Sequence, residues 1–189
     1  MTGNPLLPLW HYQPGTVPRA FGEPTSYHKA YDWLSETCDL IEDWGCALAY
    51  GRTLLPEGRY RGIDGTPEAA PYADLIADLI DYTSDDADGI VIRHVLEHNP
   101  EWRVILGNAV RSFRKRLVLI IFTPFAETTY QRSMSHPGVP DLSFAKDDLL
   151  TFFDGLTVTE EHIVTDTQFG SEHIFFVERP QHATTTPGG

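Results

Sequence analysis

The chain has 189 residues, 41% of them hydrophobic, and a formal net charge of −13. That length supports one domain with a sizeable core. The charge argues against duplex nucleic acid as a partner, because neutralising phosphates supplies most of the affinity in such complexes. No run of about 18 apolar residues occurs and the amino terminus lacks a basic-then-apolar leader, so a cytoplasmic protein with no membrane span is expected, its Cys38 and Cys46 reduced thiols.

Residues 1–25 contain Pro5, Pro8, Pro14, Pro18 and Pro24, which forbid a long helix. With Trp10, Tyr12 and Phe21 they read as an arm that folds over a cleft or packs on the core of the single domain expected over residues 26–181. Residues 26–40 read as a helix. The run Glu42-Asp43-Trp44-Gly45-Cys46-Ala47-Leu48-Ala49 then places a small-residue turn between a strand end and a helix. Gly62-Ile63-Asp64 ends a second strand, with Asp64 lying 21 positions after Asp43, close to the roughly 20 expected of a carboxylate that holds a ribose. Residues 73–82 supply a third strand and its loop.

Asp88-Gly-Ile-Val-Ile is a short buried-strand run, followed directly by Arg93-His94-Val-Leu-Glu97-His98. Asn99, Pro100 and Glu101 start a helix as cap, first residue and first-turn acid, and Trp102, Ile105, Leu106, Ala109, Val110 and Phe113 recur at helical spacing. Residues 116–125 form a fifth strand, apolar almost throughout as expected when helices cover both sheet faces. The cluster Arg111, Arg114, Lys115 and Arg116 suits a helix carboxyl end. Residues 127–141 are too polar and too rich in Pro and Gly for core and read as a lid. Phe144 to Gly155 looks helical, Thr157 to Val164 and His173 to Arg179 are extended, and residues 182–189 read as a disordered tail.

The acid at the first turn selects the ligand. A dinucleotide pyrophosphate needs glycine backbone and a helix amino terminus, and Asp43 would repel it. A cationic nucleotide suits the site better. At these residues the chain resembles the class I S-adenosylmethionine-dependent methyltransferases, whose first motif runs acid-x-Gly-x-Gly-x-Gly; here Ala47 and Ala49 stand for the second and third glycines. They must keep negative φ or be strained. The His-Val-Leu-Glu-His segment is similar to the family's fourth motif.

The resemblance implies an α/β Rossmann-like sheet of seven strands, mixed because the last hairpin is antiparallel, with helices on both faces in three layers. It implies S-adenosylmethionine as cofactor, with Asp64 on the ribose, the backbone of Gly45, Cys46 and Ala47 beside the methionyl part near Asp43, and Arg93 next to the site. Asp78, with Asp81 as competitor, would take the adenine amino group. The expected reaction is methyl transfer to a small-molecule acceptor at oxygen, with His94 as base or as a structural histidine packing on the cofactor. Acceptor contacts are expected from Tyr130, Arg132 and His136 in the lid. A catalytically silent fold used for binding or scaffolding is the alternative. A divalent cation held by His94, Glu97 and His98 would need one helical face, yet the helix starts only at Asn99, so no metal is expected.

Overall fold

The computed structural model describes residues 4–11, 20 and 22–180; the expected tail at 182–189 lies outside the described residues. Seven strands form one sheet: β1 (Ile41–Trp44), β2 (Tyr60–Asp64), β3 (Leu75–Ile76), β4 (Gly89–Arg93), β5 (Arg116–Ile121), β8 (Thr157–Val164) and β9 (Ser171–Glu178). A separate hairpin contains β6 (Tyr130–His136) and β7 (Val139–Ser143). The sheet order is β3-β2-β1-β4-β5-β9-β8. Strands β1 to β5 run parallel, and β9 pairs antiparallel with both β5 and β8. This is the mixed sheet the strand runs implied.

Period-2 alternation sends successive side chains of the central strands into two cores. Ile90, Ile92, Leu117, Leu119 and Ile121 pack with Trp102, Ile105, Leu106 and Ala109 of α2 (Trp102–Ser112) on one face. Val91, Val118 and Ile120 meet Tyr27, Ala30, Tyr31 and Leu34 of α1 (Thr25–Ser35) on the other. Each such aliphatic side chain contributes about 1.5–3 kcal/mol when removed from water, so both layers are needed to hold the sheet.

Several expected elements differ in extent. The helix after β1 is only a 3-10 segment, Tyr50–Leu54, in which Gly51 faces Tyr31 too closely for any side chain. Asn99 and Pro100 precede α2 by a turn instead of opening it; Asn99 donates its side-chain amide to the Val95 carbonyl. The expected helix from Phe144 splits into α3 (Lys146–Leu150) and a 3-10 turn, Thr151–Phe153, before Gly155 at φ 77°. The expected polar lid is the β6–β7 hairpin. Its strand signal was masked by Ser133, Ser135 and Asp141, which satisfy one another: Asp141 is fully buried and accepts both serine hydroxyls. The basic cluster is absorbed internally, Arg116 by Glu36 and Glu178 and Lys115 by Asp88.

Candidate functional site

The strand order reverses between β1 and β4, since the chain leaves β1 toward β2 on one side and returns to β4 on the other. In open α/β sheets the carboxyl ends of the strands at such a point frame the ligand crevice. A cavity of about 560 Å³ opens there, lined at one end by Gly45, Ala47, Asp64 and Asp78 and beside them by Arg93 and His94. Such a volume falls inside the roughly 300–1,000 Å³ of ligand pockets. Asp43 and Cys46 do not line it: Asp43 is buried beneath the turn and accepts the Tyr60 hydroxyl at 3.0 Å, and the Cys46 thiol packs against Gly62. Burial pushes the Asp43 carboxyl up to about 6, against the hydroxyls of Tyr31 and Tyr60.

The first turn is left-handed at all three motif positions. Gly45 has φ 78°, and a Cβ there would come 2.4 Å from Val95 Cγ2. Ala47 (φ 49°) and Ala49 (φ 52°) are left-handed too, so the strained alternative is the one realised. The carboxylate of Asp64 helps to hold them: it accepts the Ala47 N–H at 2.9 Å and the Thr66 N–H at 2.8 Å. The third non-glycine residue at positive φ among the described residues is His94, at 55°. Ala47 and His94 line the cavity, and Ala49 is buried in the core behind them. Backbone strain concentrated in this way marks sites that function over-determines.

His94 belongs to a buried polar cluster. Its Nε2 stands 2.6 Å from Glu172 Oε1, a short contact not aligned as a hydrogen bond. Arg93 donates to the same oxygen at 2.8 Å and to Ser26 Oγ at 2.9 Å, while its guanidinium lies 4.4 Å over the Tyr27 ring. Burial and the Arg93 charge lower the His94 imidazole to about 4, only partly opposed by Glu172. Burial alone would raise the Glu172 carboxyl, but His94 and Arg93 together hold it below its ordinary value. The cluster at neutral pH is thus a carboxylate between a neutral imidazole and a guanidinium. Glu172 was missed in the sequence, although a signal existed: it shares the inward face of β9 with Ile174 and Phe176, an acid in a core-facing register.

Glu97 and His98 turn away from His94. Glu97 accepts the Phe122 N–H at 2.7 Å, and burial raises its carboxyl to about 7. His98 pairs instead with the hairpin, Nδ1 lying 2.9 Å from the Pro140 carbonyl and 3.3 Å from Asp141; burial opposes its protonation, yet Asp141 and Glu97 raise it above the usual value. No group of three His, Cys, Asp or Glu among the described residues is placed to hold a metal ion. Of the expected arm, the described residues 4–11 contribute to the cavity wall, and Tyr12 and Phe21 lie outside the described residues. Asn4 N–H donates to Asp78 at 2.7 Å, Leu7 packs on Gly65, and the Trp10 ring sits 4.9 Å from that of His98 and 5.7 Å from that of His136.

This fold is that of the class I S-adenosylmethionine-dependent methyltransferases. Among solved structures the chain is similar to magnesium protoporphyrin IX methyltransferase from Synechocystis PCC 6803, crystallised with S-adenosylmethionine, at 16% identity over 82% of this chain and 81% of that one, TM-score 0.60. It is similar also to 1,6-didemethyltoxoflavin-N1-methyltransferase from Burkholderia thailandensis, at 13% identity over 82% and 76%, TM-score 0.61. The N-methyltransferase NodS from Bradyrhizobium japonicum WM9 aligns at 17% identity over 83% and 87%, TM-score 0.56. No family model matches the sequence, and no curated protein sequence matches it.

Proposed function

We propose that this protein is an S-adenosylmethionine-dependent methyltransferase acting on the oxygen of a small-molecule acceptor. The observation that carries the reading is the left-handed Gly45, Ala47 and His94 backbone around a cavity that also exposes Asp64 and Asp78. The residues fit that cofactor. Asp64 accepts the Ala47 and Thr66 N–H groups and Asp78 those of Asn4 and Ile80, which fixes both carboxylates at the cavity wall where ribose hydroxyls and an adenine amino group would lie. The turn beside Gly45 and Ala47 would take the methionyl part, with Asp43 behind it. When bound, the cofactor supplies an already activated methyl group.

The chain's own contribution is alignment, exclusion of water and one proton transfer. His94 is neutral above about pH 4 and therefore free to accept the acceptor's hydroxyl proton. Its Nε2 is buried against Glu172, so Nδ1 is the nitrogen left for that proton, and Glu172 stabilises the imidazolium that forms. Arg93 fixes Glu172 from the other side. The catalytically silent alternative is separated by calorimetry: wild type should bind S-adenosylmethionine, and Asp64→Ala should weaken that binding by about tenfold or more, equivalent to one hydrogen bond to a charged group. Absence of binding by wild type would leave only the silent fold. Release of S-adenosylhomocysteine across an acceptor panel then tests transfer itself.

A further inference from the structure

Beyond His94 the cavity continues as a wall of rings. The Phe122 ring lies 4.8 Å from His94 and 5.6 Å from His98; Trp10 continues the wall past His98, and His136 closes it. Met134 adds a soft apolar edge from the hairpin. The charged pair at this end is His98 with the buried Asp141, 3.3 Å apart. Arg93 is the one Lys or Arg among the described lining residues, and Glu172, Ser26 and the Tyr27 ring occupy it. Two acids behind the wall are wholly buried: Asp141 is taken up by Ser133, Ser135 and His98, and Glu97 accepts the Phe122 N–H.

Resting on the methyltransferase reading, we propose that the acceptor is an uncharged, flat aromatic molecule bearing a phenolic hydroxyl, seated against Trp10, Phe122 and His98 with its oxygen toward His94. Aromatic faces and edges in such a row favour stacked or edge-on rings at centroid separations of about 4.5–7 Å, the spacing these side chains already keep with one another. A carboxylate or phosphate acceptor would meet at this end no cation but His98, whose charge Asp141 already matches, and an ammonium no carboxylate that reaches the surface of the wall. In the transfer the phenol oxygen gains the methyl carbon while its proton passes to His94, and the broken carbon–sulfur bond leaves its electron pair on sulfur. Trp10 sets specificity here. It comes from the arm, so the acceptor end is completed by a segment outside the sheet.

The test is calorimetric titration of naphthol, its saturated analogue decahydronaphthol and the anionic hydroxynaphthoate into the full chain, each with and without S-adenosylhomocysteine. Naphthol should bind at least about tenfold more tightly than either comparison compound, the scale of one good ring contact. Trp10→Ala should abolish that preference with S-adenosylhomocysteine affinity unchanged, and Trp10→Phe should restore most of it. Equal binding of naphthol and decahydronaphthol, or tighter binding of hydroxynaphthoate, overturns the proposal with wild type alone. Naphthol preference in a chain that does not bind S-adenosylhomocysteine would keep the aromatic slot and refute the methyltransferase reading instead.

Discussion

Replacing Ala47 and Ala49 one at a time by glycine separates backbone strain from side-chain packing. A left-handed alanine costs roughly 1–2 kcal/mol that glycine does not incur, whereas glycine loses about 0.5–1 kcal/mol more conformational entropy on folding. Ala47 is only partly buried, so Ala47→Gly should be stabilising by about 0.5–1 kcal/mol, or about 1–4 °C in Tm for a chain of this size. Ala49 is fully buried against the α1-side core, and its lost methyl takes away about 0.8 kcal/mol, so Ala49→Gly should be close to neutral. Thermal unfolding followed by circular dichroism measures both. A fall in Tm for Ala47→Gly would mean that the turn is not left-handed at that position.

Turnover gives a second test: His94→Ala should lower kcat by about 10²-fold or more while S-adenosylmethionine affinity stays within a few-fold. In wild type, kcat/KM should rise through about pH 4, where His94 loses its proton, and stay level through pH 6.5; an ascending limb near 6.5 would refute a desolvated base. Glu172→Gln leaves the Arg93 guanidinium buried without its carboxylate, a loss of about 3–5 kcal/mol, read as a lower urea midpoint. Glu97 has a folded value raised to about 7, so its stability contribution is complete below its ordinary value and disappears as pH rises through 7; the Tm difference between Glu97→Gln and wild type should therefore grow in favour of the variant between pH 5 and 8.

The sheet was legible because its signals are local. Apolar runs at Ile41, Ile90 and Leu117, each followed by a turn, leave little freedom in strand order once parallel connections must be right-handed. That Gly45, Asp64 and Asp78 line one cavity was legible for the same reason: each terminates a strand or opens a loop, and the sheet gathers strand ends. Partners distant in sequence were not legible. Glu172 reaches His94 across 78 positions, and Asn4 reaches Asp78 across 74; nothing local in either residue names its partner. The β6–β7 hairpin was misread because its inward side is polar, held by a buried carboxylate in place of an apolar stripe.

That hairpin pairs with no strand of the main sheet; it is tied to the domain by the Pro140 carbonyl and Asp141 carboxylate on His98, by the Leu142 carbonyl on the Thr123 hydroxyl at 2.7 Å, and by the burial of Leu142 in the core. Its exposed residues can therefore drift without disturbing the register of the seven strands, provided that those ties survive. A graft of another loop between Thr123 and α3 that keeps them would change which molecules enter. On the proposed reading, what the cavity admits is in that sense an interchangeable fitting, set by the length and chemistry of about twenty residues.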